Sequence, residues 1–149
     1  MSGRILAIDF GTKRVGVAVS DALGITAQGL PTLERTRLRD DLEHLASVVA
    51  EYEVERVLVG NPVGHSGGET AMSAQAAEFA EKLRRRVPCP VELRDERLTS
   101  AEANRTLRDS GMSIAKRQRA VDQMAAVLIL QGYLDYLANE RRREERTAE

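Results

Sequence analysis

The sequence RILAIDFGTKRVGVAVSD, residues 4–21, supplies the first two strands around which this chain is arranged. An apolar run at residues 5–8 ends at the carboxylate of Asp9, and a second apolar run at residues 15–19 follows a turn at Gly11. Two short β-rich runs on either side of a glycine-containing turn predict a β-hairpin. A carboxylate at the end of a buried strand is costly unless it has partners. Asp9 therefore either caps the amides of its own turn or meets other carboxylates elsewhere in the chain.

Length and composition favour one folded domain. The chain has 149 residues, of which 42% are hydrophobic, and this is enough for a single domain with its own core. We predict that this domain covers residues 1–139. The remaining residues, 140–149, have mixed charge, and we interpret them as a frayed helix end or a disordered tail.

Charge and cysteine content exclude several classes of protein. The chain has 22 basic and 23 acidic residues, a net charge of −1, so a polyanion would have to be bound by a local basic patch. Its single cysteine, Cys89, excludes an internal disulfide framework and favours a reducing, cytoplasmic location. The sequence also has no signal peptide and no apolar run near the roughly 18 residues that span a membrane.

Hydrophobic spacing predicts the remaining elements. After the hairpin we expect a third strand, a helix, a fourth strand, a second helix, a fifth strand, a short helix and a long helix, at residues 24–33, 37–52, 56–60, 69–87, 91–94, 100–111 and 114–139. The order βββαβαβαα predicts an α/β fold in which a mixed five-stranded sheet has helices on both faces.

The apolar strands at residues 4–9, 56–60 and 91–95 should be parallel neighbours, because crossover connections are right-handed. Their carboxyl ends then lie along one edge of the sheet, where ligands bind in open α/β folds. Asp9 ends the first of these strands and Glu96 ends the last. Both side chains are therefore expected at that edge, although Glu96 could instead form a local salt bridge.

The long helix offers a third acid, Asp122, within an apolar pattern. Its neighbours at plus three and plus four are Ala125 and Ala126, whose small side chains would let this helix approach the sheet closely. Three acids converging at one edge would be explained by a divalent cation, and oxygen ligands favour Mg²⁺ or Mn²⁺. The alternative is that Asp122 faces solvent.

Four segments together resemble a known family. They are DFGTKRVGVAVSD at 9–21, GNP at 60–62, DERLTS at 95–100 and VDQMAAVLIL at 121–130. In order and spacing they resemble the YqgF/RuvX family of RNase H-like nucleases, whose members are named as Holliday junction resolvases and as pre-16S rRNA nucleases.

The resemblance implies an RNase H-like, RuvC-like fold in which Asp9, Glu96 and Asp122 are the catalytic, metal-binding acids. It also implies hydrolysis with two metal ions, with Asp9 bridging both ions and the other two acids each helping to hold one. The expected product ends are a 5′-phosphate and a 3′-hydroxyl.

Basic residues near these acids are candidates for nucleic-acid binding. They are Lys13, Arg14, Arg97, Arg105, Arg108, Lys116, Arg117 and Arg119. The alternative is that they form solvated helix faces. We expect Tyr133 and Tyr136 to pack in the last helix, so recognition would depend on backbone and shape, as for structured RNA.

The acids and basic residues predict a metal-dependent nuclease, and the resemblance implies that it acts in 5′-end maturation of precursor 16S rRNA. The alternative is a Holliday junction resolvase acting on branched DNA; a resolvase cuts two strands symmetrically and so implies a homodimer, whereas the rRNA nuclease could be a monomer. Two further alternatives are a module that binds ATP phosphates through residues 9–16 and a non-catalytic interaction module.

Overall fold

A computed structural model of the chain describes residues 3–62, 71–96 and 113–148, with the backbone alone for residues 61, 62, 71, 72, 95 and 96. The elements that it describes are β1 Arg4–Phe10, β2 Arg14–Ser20, β3 Ala27–Glu34, α1 Leu38–Glu51, β4 Val54–Pro62, α2 Ala71–Arg84, β5 Val91–Glu96 and α3 Ile114–Ala148. The short helix predicted at residues 100–111 lies outside the described residues.

The five strands form one mixed sheet in the order β3-β2-β1-β4-β5. β1, β2 and β3 are antiparallel neighbours, whereas β1, β4 and β5 are parallel. This arrangement confirms the predicted mixed sheet and the prediction that the carboxyl ends of β1, β4 and β5 share one edge.

Alternate residues of the central strands face opposite layers of helix. On β1, Leu6 and Ile8 pack in the core that contains residues of α1 and α2, while Ile5 and Ala7 pack in a second core with residues of α3. Successive side chains of a strand point to opposite faces, so this alternation buries β1 on both sides. The helices on both faces were predicted from the order of elements.

The third strand begins at Ala27, three residues later than predicted, because the preceding segment forms a turn. Asp21 Oδ1 accepts hydrogen bonds from the backbone N–H groups of Ile25 at 2.7 Å and Thr26 at 3.1 Å. The bond from Thr26, followed by that from Ile25, lowers the pKa of Asp21 below its ordinary value. Gly24 adopts a φ of 71°, which favours glycine, so this segment cannot continue a strand.

The last helix is longer than the sequence pattern predicted, because α3 continues to Ala148 rather than ending at Asn139. Its final turns are exposed and contain local side-chain pairs, such as Arg143 with Glu140 at 3.1 Å and Arg142 with Asn139 at 3.2 Å. Such pairs stabilise a helix that has no apolar face to bury. Despite this length, no helix in the described part of the chain is apolar enough to cross a membrane.

A residue with left-handed backbone follows α1 and gives a test of the fold. Glu53 has a φ of 52°, which places the Cβ of an L-residue close to its neighbouring carbonyl. We expect Glu53→Gly to raise the free energy of unfolding by about 1 kcal/mol, measured by chemical denaturation. Glu51→Gly, in the last turn of α1, is the matched control and should lower it by about 0.5–1 kcal/mol. A loss of stability in Glu53→Gly would contradict this interpretation.

Candidate active site

Asp9 lies on β1 between two glycines of the neighbouring strands. It is paired in register with Gly16 of β2 and with Gly60 of β4. Since Ile5 and Ala7 face α3, strand alternation places the half-buried Asp9 on the same face. The position directly opposite Asp9 is thus a glycine on each flanking strand.

Asp122 lies directly above the glycine that pairs with Asp9. A Cβ built on Gly16 would come within 1.8 Å of the backbone oxygen of Asp122, so α3 rests on the β2 backbone at this point. The buried Ala125 and Ala126 that follow let the helix lie this close to the sheet. The sequence prediction that α3 brings Asp122 to the edge containing Asp9 therefore agrees with the geometry.

A second glycine contact fixes the position of the same helix turn. The side chain of Gln123 lies over Gly29 of β3, where an added Cβ would come within 2.6 Å of its carbons. Its Nε2 donates a hydrogen bond to the backbone oxygen of Leu30 at 2.7 Å. The turn of α3 that carries Asp122 is thus held against both β2 and β3.

Arg14 forms an ion pair with Asp122. Its Nε donates to Oδ2 of Asp122 at 2.8 Å, and the two side chains are 24% and 21% exposed. The sequence suggested Arg14 only as a ligand for nucleic-acid phosphate and did not reveal this contact. The hydrogen bond engages Oδ2, so a cation approaching Oδ1 would not have to break it.

The third predicted acid, Glu96, is described by its backbone. It ends β5 opposite Pro62 of β4, and two residues before it Arg94 is paired with Gly60, the partner of Asp9. The main chain of Glu96 thus lies at the carboxyl edge, two residues beyond the row that contains Asp9. No cluster of three or more His, Cys, Asp or Glu side chains suited to a metal occurs among the described residues, and the Glu96 side chain is not among these.

Several predicted basic residues surround this edge. Lys13 is exposed in the β1–β2 turn, and Lys116 is exposed in the first turn of α3. A cavity of about 320 Å³ beside Asp122 is lined by Arg14, Ile114, Arg117, Gln118, Val121 and Asp122. Arg119 instead pairs with the last residue of β3, its Nη1 lying 3.6 Å from Oε1 of Glu34. The remaining candidates, Arg97, Arg105 and Arg108, lie outside the described residues.

Arg35, which sequence reasoning missed, holds the turn between β1 and β2. Its backbone N–H donates to the oxygen of Lys13 at 2.9 Å, and its Nη1 donates to the oxygen of Gly11 at 3.2 Å. Its Nε donates to Oδ2 of Asp41 at 3.2 Å, and its guanidinium lies 5.0 Å from the centroid of the Phe10 ring. The turn that presents Lys13 is therefore fixed by an arginine that is itself held in place.

The position of Asp41 in the sequence could have indicated its ion pair with Arg35. It is 1% exposed, and it lies on the apolar face of α1, three residues after Leu38 and four before Leu45. A carboxylate at such a position requires a cationic or hydrogen-bonding partner. Arg35 and the backbone N–H of Thr36, which donates at 3.1 Å, provide it.

The sheet order defines an α/β fold with a mixed five-stranded sheet, and this fold is similar to those of two solved resolvases. The fold resembles that of RuvC from Thermus thermophilus, solved in complex with a Holliday junction, with a TM-score of 0.58 and 15% identity over 92% of this chain and 96% of that one. It also resembles the fowlpox virus resolvase, solved with Holliday junction DNA, with a TM-score of 0.50 and 12% identity over 90% of this chain and 98% of that one.

Sequence comparison gives the family. The family described as "RuvX: Holliday junction resolvase" matches residues 3–136, and the chain belongs to this family. It is 54% identical over 133 residues to a "Putative pre-16S rRNA nuclease" from Koribacter versatilis, covering 89% of this chain and 87% of the relative. A protein with the same name from Halalkalibacterium halodurans is 48% identical over 134 residues, covering 89% of this chain and 96% of the relative. The resemblance found in the sequence motifs is thereby confirmed.

Proposed function

We propose that this chain is a metal-dependent nuclease that hydrolyses phosphodiester bonds of precursor 16S rRNA and so matures its 5′ end in the cytoplasm. The observation that carries the proposal is the juxtaposition of Asp9 and Asp122 across Gly16 at the carboxyl edge of the sheet. Membership of the RuvX family supports the reaction, and the names of the relatives support the substrate.

The residues at this edge fit a hard divalent cation. Carboxylate oxygens are the ligands that Mg²⁺ and Mn²⁺ prefer, and Asp9, Asp122 and Glu96 would provide them. When bound, such ions generate a hydroxide nucleophile at neutral pH and stabilise the leaving oxygen. The family resemblance implies two such ions, and we propose that Asp9, Glu96 and Asp122 would together hold them.

The basic residues have a separate role, which is to hold the nucleic acid. Contacts to phosphate fix the register and orientation of a strand without reading its sequence. Lys13 and Arg14 lie on the hairpin that carries Asp9, and Arg117 lines the cavity beside Asp122. We propose that these residues, with Lys116, bind phosphates on either side of the scissile bond, and that Arg14 also keeps the Asp122 carboxylate in position.

The second candidate function is resolution of four-way DNA junctions. The description of the matched family and the RuvC-like fold favour it. A resolvase cuts two strands symmetrically, so this function requires a two-fold symmetric dimer, whereas a single chain could cleave the rRNA leader.

One cleavage assay separates these candidates. The purified chain is incubated with Mg²⁺, Mn²⁺ or EDTA, and a precursor 16S rRNA 5′ leader and a synthetic four-way DNA junction are offered in parallel. We expect metal-dependent cleavage of the RNA that leaves a 5′-phosphate and is lost in EDTA. The Asp122→Asn variant, purified in the same way, reports any contaminating nuclease.

The other outcomes have distinct meanings. Paired, symmetric nicks in the junction without cleavage of the leader would establish the resolvase instead. If the wild-type chain and Asp122→Asn give the same products, the cleavage does not come from this site and the proposal is wrong. Failure to cleave either substrate, together with binding of ATP, would support a phosphate-binding module.

A further inference from the structure

Two of the three tyrosines of this chain meet at one arginine. The ring centroids of Tyr133 and Tyr136, one turn apart on α3, are 6.3 Å from each other. The Arg94 guanidinium carbon lies 4.7 Å from the Tyr133 centroid and 5.6 Å from the Tyr136 centroid. In a chain with five aromatic residues in total, this concentration calls for an explanation.

Packing explains the inner ring but not the outer one. Tyr133 is 7% exposed and belongs to the core between α3 and the sheet, together with Ile5 and Leu58. Tyr136 is 49% exposed, and neither core cluster of the described residues includes it. The expectation that both tyrosines pack in the last helix therefore holds for Tyr133 and is wrong for Tyr136.

The cluster lies in line with the candidate active site. Asp9 is paired with Gly60, and Gly60 is paired with Arg94, so the three residues form a row across β1, β4 and β5. Neighbouring strands are about 4.8 Å apart, which puts the α-carbons of Asp9 and Arg94 about 10 Å apart. Because Gly60 has no side chain, β4 contributes no obstacle between them.

The charges beside the tyrosines favour a nucleic-acid strand. Arg56 Nη1 lies 2.6 Å from Glu92 Oε2, and Arg94 Nη1 lies 3.8 Å from Glu92 Oε1. These three described side chains together carry one net positive charge. An arginine plane beside aromatic rings is the combination on which unpaired bases stack. A tyrosine that is half-exposed keeps part of its ring accessible to such a base.

We propose that Arg94, Tyr133 and Tyr136 form a stacking site for an unpaired base of an RNA strand whose backbone crosses the edge at Asp9. Tyr136 supplies the accessible ring, and Tyr133 packs against it from the core. Arg94 contacts both rings and lies in the same row of paired residues as Asp9. The identification of the ligand as RNA rests on the proposed function. The site would select single-stranded substrate, because bases within a duplex are not available for stacking.

Binding without cleavage tests this site. Fluorescence anisotropy with a labelled single-stranded segment of the 16S leader, in EDTA, measures affinity for the full-length chain. We expect Tyr136→Ala to weaken binding roughly 5- to 100-fold, the effect of losing one base–aromatic stack. Tyr136→Phe keeps the ring and should restore affinity to near the wild-type value. Leu128→Ala, an exposed apolar position on the same helix, is the matched control and should bind as the wild type does.

Two comparisons make the result decisive. A fully paired RNA duplex should bind wild-type and Tyr136→Ala proteins equally. A leader with one abasic position at the stacked base should bind the wild type more weakly than the intact leader does, and should bind Tyr136→Ala with the same affinity as the intact leader. Unchanged single-strand affinity in Tyr136→Ala, or an equal loss for single strand and duplex, would overturn the proposal. If the wild type binds the single strand through Tyr136 but cleaves no RNA when metal is supplied, the stacking site stands and the nuclease proposal fails.

Discussion

The Asp9→Asn variant is expected to lose cleavage of the precursor rRNA, with kcat/KM lowered by roughly 10³-fold or more. Asparagine keeps the size of the side chain but removes its negative charge and one of its acceptor oxygens. Asp9 is half-buried and is paired with Gly16 and Gly60, so a side chain of the same size should be accepted at this position. Initial rates at several substrate concentrations, with Mg²⁺ and with Mn²⁺, measure the effect.

The control for Asp9→Asn should make the same chemical change away from the site. Asp40→Asn serves this purpose, because Asp40 is an exposed acid in the first turn of α1, on the opposite side of the sheet from α3. It should keep wild-type kinetics. Thermal melts should show that Asp9→Asn is folded at the assay temperature. A folded Asp9→Asn enzyme with the wild-type rate would refute the assignment of Asp9 as a catalytic acid.

The parts of this site that sequence predicts are those set by local pattern. An apolar run that ends in a carboxylate predicted Asp9 at the end of β1. The helical spacing of small residues predicted that the face of α3 with Asp122 packs on the sheet. The topology rules for crossover connections then put the ends of β1 and β5 at one edge. The first two inferences use the spacing of residues within one element, and the third uses only the order of the elements along the chain. The structure agrees with them where it describes the residues.

Contacts between distant elements were not predictable in the same way. Arg14 and Asp122 are separated by 108 residues, and no spacing rule indicates that an arginine at the start of β2 will meet an acid on α3. The exposure of Tyr136 depends on where α3 stops packing on the sheet. The helical spacing of apolar residues does not predict this point. Asp41 differs, because its position on an apolar helix face was a visible signal of a buried partner.

The sequence shows where glycines interrupt the strands, but it does not show which element packs against them. Gly16 and Gly29 each interrupt a β-rich run of the sequence, and glycine weakens a strand. The structure shows that both lie where α3 crosses the sheet, under Asp122 and Gln123. Which element approaches a glycine is a property of the packed fold, so the reason for these two residues appears only with the tertiary structure.

Gly16→Ala is expected to impair both stability and catalysis, because the added Cβ would lie 1.8 Å from the backbone oxygen of Asp122. A change of rotamer cannot relieve a clash with backbone, so α3 must move away from β2. Overpacking of this kind costs about 1–3 kcal/mol or more in the free energy of unfolding. A displacement of about 1 Å between Asp122 and Asp9 should lower kcat/KM by roughly 10²-fold.

The matched control is Gly132→Ala on the same helix, where an added Cβ meets nothing within 4 Å. Alanine favours a helix over glycine, so this variant should be more stable by about 1 kcal/mol and equally active. Chemical denaturation and cleavage kinetics, measured where both variants are folded, give the comparison. If Gly16→Ala loses stability but cleaves at the wild-type rate, catalysis does not depend on the close contact between Gly16 of β2 and Asp122 of α3. If both fall together, this contact is the element of the fold that assembles the site.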